Sequence, residues 1–94
     1  MVTIRDYHGY CAHWSGDSEA FSWLVNYADI IGMSQRDIAT EFECAPSTVS
    51  RWAKGEAVPH KRIQKLVVVL LQRKAQQLEG AAIHAVPLQR LAVG

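Results

Sequence analysis

The sequence predicts a small all-α protein of four to five helices. The apolar residues between positions 18 and 78 recur every three or four positions, which is the spacing of one face of an α-helix. Residues that favour helix starts and helix ends flank these stretches. The chain has 94 residues, 49% of them hydrophobic and 20% charged. These values are typical of one globular domain and not of a disordered chain.

The first predicted helix covers residues 18–31. Its apolar positions fall on one stripe, formed by Phe21, Leu24, Val25, Ala28 and Ile31. Asp17 or Ser15 is placed to cap its start. Gly32 follows the last apolar position, where a left-handed residue is expected to end the helix.

The second and third predicted helices are short. Ser34 and Asp37 form a pair resembling a capping box at the start of the second helix. Pro46 suits the first turn of the third helix, and Gly55 ends it. The apolar positions of the two helices are Ile38, Ala39, Phe42, Val49 and Trp52.

The fourth predicted helix covers residues 60–78. Its expected core stripe comprises Ile63, Leu66, Val67, Leu70 and Leu71. The two ends of the chain have no clear period, and each is compatible with a short strand, a packed arm or a disordered segment. We treat residues 1–17 as an N-terminal arm and residues 80–94, with Pro87 as a break, as a C-terminal tail or dimerisation segment.

The formal net charge is +1, but the charge is unevenly distributed. Residues 1–34 contain one base and four acids, a net charge of −3. Residues 35–74 contain eight bases and four acids, a net charge of +4. The small total excludes a uniformly basic polyanion binder. The middle of the chain is nevertheless a candidate for contact with a polyanion.

Other function classes have little support in the sequence. Cys11 and Cys44 do not make a disulfide framework. The start of the chain does not resemble a signal peptide, and the longest apolar run, residues 66–71, is far shorter than the ~20 residues of a membrane span. We therefore expect a cytoplasmic protein with no membrane contact. His8, Cys11 and His13 lack a standard zinc spacing, and a fourth ligand would have to come from elsewhere, such as Cys44 or His84, so we expect no metal or other cofactor. No set of catalytic groups is recognisable, and we expect no enzyme activity.

Residues 35–54 carry the most informative pattern. They predict two short helices joined by a tight turn, with the small Ala39 where the helices cross. The outward face of the second helix carries short hydroxyl groups and long cations, namely Ser47, Thr48, Ser50, Arg51 and Lys54. Hydroxyl groups bind phosphates, and an arginine can donate two hydrogen bonds to guanine. This pattern is typical of a helix that enters the major groove of DNA.

The stretch from Gly32-Met-Ser-Gln35 through Thr48-Val-Ser-Arg-Trp-Ala-Lys-Gly55 to Pro59 resembles the helix-turn-helix of the phage repressor and Cro family, also called XRE-like. The resemblance begins at residue 18 and covers well over half of the chain. It implies a compact lambda-repressor-like DNA-binding domain over residues 18–79. The residues that it places at the DNA are Gln35, Arg36, Pro46, Ser47, Thr48, Ser50, Arg51, Lys54, Lys61 and Arg62.

The resemblance also implies roles for these residues. Pro46, Ser47 and Arg51 match positions that face bases, and Lys54 matches the end of the recognition helix. Gln35 matches a residue that binds a phosphate and braces that helix. Contacts to the DNA backbone are implied for Lys61 and Arg62, and contacts to the backbone or to bases for Thr48 and Ser50.

Two positions depart from the family pattern. The turn usually has glycine where this chain has Glu43, so a strained or altered backbone is expected there. Pro46 stands where a polar residue commonly contacts a base, so this position is expected to recognise less of the DNA sequence.

The sequence therefore predicts a sequence-specific DNA-binding transcriptional regulator, in the first place a repressor. We expect a homodimer on a palindromic operator with half-site centres about 34 Å apart. Residues 80–94 or 1–14 are the candidates for the dimer contact. The alternative is an antitoxin-type protein that masks a protein partner, through residues 80–94, and represses its own gene through the same helix-turn-helix.

Overall fold

The computed structural model describes the backbone of residues 2–93 and the side chains of residues 2–80. The described backbone contains five α-helices, one turn of 3₁₀ helix and no strand, which confirms the predicted all-α class. The helices are α1 (Ile4–Ala12), α2 (Ser18–Asn26), α3 (Gln35–Glu41), α4 (Pro46–Lys54) and α5 (Lys61–Val93), and the 3₁₀ turn is Ala28–Ile31.

Helix α1 forms within the segment treated as an N-terminal arm. Thr3 and Asp6 cap it reciprocally, with both N–H···O distances at 3.1 Å. Tyr7 and Cys11 lie one turn apart and are buried, and the Tyr7 hydroxyl donates to the carbonyl oxygen of Leu24 in α2. The segment is therefore a helix packed into the common core, and it was not recognisable as one because so few of its residues are apolar and buried.

The predicted helix over residues 18–31 is divided at Tyr27 into α2 and the 3₁₀ turn. Asp17 caps α2 by accepting from the backbone N–H groups of Glu19 and Ala20, both at 3.3 Å. All five predicted apolar positions of this stretch are buried. Gly32 has φ 73° and ends the 3₁₀ turn in the left-handed conformation, as expected.

Helices α3 and α4 form the predicted helix-turn-helix arrangement. The Ser34–Asp37 capping box is confirmed, with N–H···O distances of 2.9 and 3.0 Å. Pro46 is the first residue of α4, and Gly55, with φ 74°, follows its last residue. Helix α4 packs against both α2 and α3, and Val49 is fully buried in the same apolar cluster as Ile38 and Ala39.

Helix α5 is longer than predicted, and the expected break at Pro87 is wrong because the helical backbone continues through that residue. A proline removes one backbone N–H bond from a helix. Good helix formers surround it here, including three alanines between residues 81 and 85.

The predicted core face of α5 is partly wrong. Val67 and Leu71 are buried as expected, but Leu66 is 50% exposed. The buried positions are Gln64, Val67, Val68, Leu71 and Ala75. Successive helix residues are rotated by about 100°, so a stripe centred on these positions leaves Leu66 on the outer surface. Ile63 and Leu70 are half-buried at the edges of the stripe.

Candidate nucleic-acid interface

Four polar residues of α4 share one face of the helix, which we call the α4 polar face: Ser47, Ser50, Arg51 and Lys54. Their spacing of three, four and seven positions places them on neighbouring turns of one side. Ser47, Arg51 and Lys54 are exposed, and Ser50 is half-buried. The other side of α4 carries Val49 and Trp52, which are buried in the core. The structure therefore presents this face to solvent on a helix held by its apolar side.

The remaining predicted residues of α4 lie beside this face. Pro46 is exposed at the first position, and Thr48 is half-buried. The N-cap residue Ala45 offers no side-chain acceptor, and the first turn contains no acid. Helices α1, α2 and α3 each have both a capping side chain and a carboxylate in the first turn. The positive end of the α4 dipole is thus not neutralised by its own residues, which favours an anion there.

The turn between α3 and α4 contains the strained residue that the sequence predicts. Glu43 has φ 52°, and it is the only described residue other than glycine with a positive φ. Its N–H donates to the Thr40 carbonyl at 3.3 Å, and the Cys44 N–H donates to the Ala39 carbonyl at 3.0 Å. These two bonds close α3 in a Schellman motif, for which glycine is the usual left-handed residue. The turn thereby fixes the direction in which α4 leaves α3.

Gln35 and Arg36 occupy the first turn of α3, where Gln35 is half-buried and Arg36 is exposed. The capping box directly before them fixes the backbone of this turn. The backbone N–H of Ser34, with its side chain as the next cause, holds the pKa of Asp37 below its usual value. Asp37 is therefore ionised at neutral pH, and it keeps the start of α3 in place.

The structure separates the roles of Lys61 and Arg62 at the start of α5. The Lys61 ammonium donates to the carbonyl oxygen of Gly16 and to Ser18 Oγ, the latter at 3.0 Å. Lys61 therefore ties α5 to the loop between α1 and α2. Arg62 is exposed, and its side chain has no hydrogen bond or ion pair to the described residues. Its backbone N–H donates to His60 Nδ1 at 3.1 Å, a cap that the sequence analysis did not anticipate.

The cations of the candidate interface are not neutralised by nearby carboxylates. Within residues 2–80, the one contact between a basic side chain and a carboxylate joins His8 Nδ1 to Glu79 Oε2 at 3.3 Å, far from α4 in the chain. Arg51 and Lys54 form no ion pair with the described side chains. Exposed acids do occur in the neighbouring segments, namely Glu41, Glu43 and Glu56. The α4 polar face therefore carries positive charge, and exposed carboxylates precede and follow α4 in the chain.

The residues considered for a metal do not assemble a site. Cys11 is buried, His13 is exposed, and His8 pairs with Glu79. No cluster of three or more potential metal ligands occurs among the described side chains. Both cysteines are free, and burial raises the pKa of the Cys11 thiol to about 12. His84 and the other side chains of residues 81–94, including the predicted dimerisation segment, lie outside the described side chains.

No protein-family model, curated protein or solved structure matches the chain. In the described part of the chain, no helix has the length and apolar character that crossing a membrane requires.

Proposed function

We propose that this chain is a sequence-specific DNA-binding regulator that inserts α4 into the major groove. The α4 polar face is the observation that carries the proposal. It offers two unpaired cations and two hydroxyl groups on a helix whose opposite side, at Val49 and Trp52, is buried. A helix held in this way presents its outer side chains in one orientation, which base reading requires.

The residues divide into those that read bases and those that hold the backbone. Arg51 lies in the middle of the exposed face and is the candidate for a bidentate contact to guanine. Ser47 and Lys54 flank it by one turn on each side. The uncapped start of α4 is suited to a phosphate, as are the exposed guanidinium groups of Arg36 and Arg62. Lys61 contributes by fixing the start of α5, because its ammonium already has two acceptors.

The proposal includes a homodimer that acts as a repressor in the cytoplasm. One helix-turn-helix unit covers few base pairs, and two copies on an inverted repeat extend the contact by one helical turn of DNA, about 34 Å. Leu66 and Val69 supply an apolar surface for the second copy, since they are 50% and 40% exposed on the outside of α5. Two exposed large apolar side chains on one helix are suited to burial against a partner.

The test is selection of bound duplexes from a random DNA pool by the full chain. We expect one inverted repeat to be enriched, with half-sites about 10 base pairs apart from centre to centre. Arg51→Ala should lose the preference at one base pair of each half-site, whereas Arg73→Ala, which removes an exposed arginine from α5, should select the same repeat as the unaltered chain. A pool that stays random, or one that Arg51→Ala enriches identically, would overturn the proposal.

A further inference from the structure

Four aromatic side chains of α1, α2 and their connections form a continuous group, which we call the aromatic surface: Tyr10, Trp14, Trp23 and Tyr27. Tyr10 is 51% and Tyr27 43% exposed, and the two tryptophans are half-buried. The Tyr10 and Trp23 ring centroids are 5.5 Å apart with the rings nearly perpendicular, and those of Trp23 and Tyr27 are 4.9 Å apart. Exposed aromatic groups of this kind are enriched where proteins bind one another.

The aromatic surface contains a preformed groove of about 440 Å³ between the end of α1 and the start of α2. Tyr10, Trp14 and Trp23 line it, together with the carboxylate-bearing Asp17. Trp14 Nε1 donates to the Asp17 carbonyl at 2.9 Å, which fixes one wall. The buried Tyr7 ring stacks behind Trp23 at 6.2 Å, which fixes another. The groove therefore needs little rearrangement to receive a side chain.

This surface lies on the side of α2 away from the proposed DNA-reading helix. Phe21 and Trp23 are two positions apart on α2 and thus point about 200° apart. Phe21 faces α4, where its ring centroid is 6.0 Å from that of Trp52, whereas Trp23 faces Tyr10 of α1. A partner seated on Trp23 leaves the α4 polar face open. A second copy seated there would hold the two α4 helices on opposite outer sides, where they cannot share one face of DNA.

The charges around the aromatic surface indicate the chemistry of its partner. The segment that builds it, residues 1–34, has a net charge of −3. Asp17 is the one carboxylate among the residues that line the groove, and His13 lines it as well. Arginine and lysine also bind over the faces of tryptophan and tyrosine. Lys61 and Lys65 lie beyond Trp14, which directs a cation toward the Tyr10 and Tyr27 end.

We propose that the aromatic surface docks a protein segment in which an arginine or lysine adjoins a large apolar side chain, and that it does so while α4 holds DNA. The apolar side chain enters the groove beside Trp23, and the cation lies against the exposed tyrosine rings. This inference goes beyond the proposed function, since it gives a regulator at its operator a contact to another protein. Docking of the segment is independent of whether α4 reads DNA, whereas docking on the operator rests on the proposed function.

The test is a selection from random peptides about twelve residues long on the immobilised full chain. Binding of the retained peptides is then measured to the unaltered chain and to the Tyr10→Ser/Tyr27→Ser double variant. We expect the retained peptides to combine arginine or lysine with leucine or an aromatic residue. The double variant should weaken their binding about tenfold or more. The matched control Val58→Ser removes an apolar side chain that is 39% exposed and lies outside the aromatic surface, and it should bind the peptides like the unaltered chain.

The indole N–H resonances of Trp14, Trp23 and Trp52 report where a selected peptide binds. The peptide should shift the signals of Trp14 and Trp23 and leave that of Trp52 in place. Absence of any enriched peptide, enrichment of acidic peptides, or equal binding by the double variant would overturn the inference. So would loss of self-association in the double variant, because the surface would then hold a second copy. DNA selection by the double variant should be unchanged, which separates this inference from the proposed function.

Discussion

Arg51 is the residue whose replacement best separates base reading from general attraction to DNA. Its guanidinium is exposed in the middle of the α4 polar face and has no carboxylate partner among the described residues. Arg51→Ala should cost about 1–3 kcal/mol of binding free energy on the selected site and relax the preference at one base pair. The measurement is a titration of the site and of its single-base variants. An equal loss on all these sequences would show that Arg51 only attracts phosphates.

Glu43 is the residue at which the backbone is strained. A left-handed conformation costs a residue with a Cβ about 1 kcal/mol or more, and Glu43 adopts it with φ 52°. Glu43→Gly removes this cost, but glycine loses more conformational entropy on folding, which offsets part of the gain. The free energy of unfolding should therefore rise by less than about 1 kcal/mol. Urea denaturation measures the change. Glu43→Gln is the control, since it removes the charge but keeps the Cβ; a gain of the same size in Glu43→Gln would assign the effect to charge.

Ser34 couples the start of α3 to the titration of Asp37. Ser34→Ala removes a capping hydroxyl and should lower the free energy of unfolding by about 1 kcal/mol at neutral pH. It should also raise the pKa of Asp37, because the Ser34 hydroxyl is one of the groups that lower it. NMR titration of the Asp37 carboxyl measures this pKa directly.

The pH dependence of this cap has a defined sign. Because the folded chain holds the pKa of Asp37 below its unfolded value, the ionised carboxylate stabilises the fold at pH above that unfolded value. The stabilisation is lost as the pH falls through the lower folded pKa. The difference between the unaltered chain and Ser34→Ala should shrink over this acidic window. The control Ser47→Ala should change neither the free energy of unfolding nor the pKa of Asp37, since Ser47 does not cap α4.

The elements that the sequence predicts well are those whose determinants are local. Helices α3 and α4 begin and end at residues whose caps, proline and left-handed positions lie within a few positions of one another. Helix α1 was missed because its main anchor is long-range: the Tyr7 hydroxyl reaches a carbonyl 17 residues away. The face of α5 was misjudged at Leu66 for the same reason. In an apolar stretch such as residues 66–71, only the tertiary partners decide which side is buried.

The residues of the candidate site also divide into those placed by local spacing and those placed by long-range contacts. The α4 polar face follows from helical spacing, so four of the five residues predicted for the outward face are found together, and Thr48 lies beside them, half-buried. The ammonium of Lys61 was expected at the DNA backbone, but it reaches the loop at Gly16 and Ser18. A contact over more than forty residues leaves no local pattern in the sequence. The aromatic surface was missed because it joins two helices, of which α1 was not predicted.

The start of α5 offers a comparison of two neighbouring cations. Arg62→Ala should weaken binding to all DNA sequences alike and lower the salt slope by about one, since Arg62 is free to contact a phosphate. Lys61→Ala should instead lower the free energy of unfolding by about 1 kcal/mol, because it removes two hydrogen bonds to the α1–α2 loop. DNA titrations over a range of salt and urea denaturation measure the two effects. A lower salt slope for Lys61→Ala with unchanged stability would reverse these roles.

The charge of the whole molecule favours selective binding over strong general attraction. The net charge of +1 places an acidic N-terminal third against a basic middle. The structure adds that Asp17 lines the groove of the aromatic surface, while Arg51 and Lys54 of α4 form no ion pair with the described side chains. Few phosphate contacts give weak non-specific binding, so the operator must be held mainly by the α4 polar face and by dimerisation.

In the proposed function, operator affinity depends most on dimerisation, which is a property of the whole molecule. Leu66 and Val69 are the exposed large apolar side chains described on α5, and burying them against a second copy would favour association. Leu66→Glu should convert the dimer to a monomer, because the interface would then have to bury a charge. Sedimentation measures the change. The variant should lose about tenfold or more in affinity for the inverted repeat and keep its affinity for a single half-site.

Gln76→Glu adds the same charge at another exposed position of α5 and should remain a dimer. A Leu66→Glu chain that still sediments as a dimer would place the contact elsewhere.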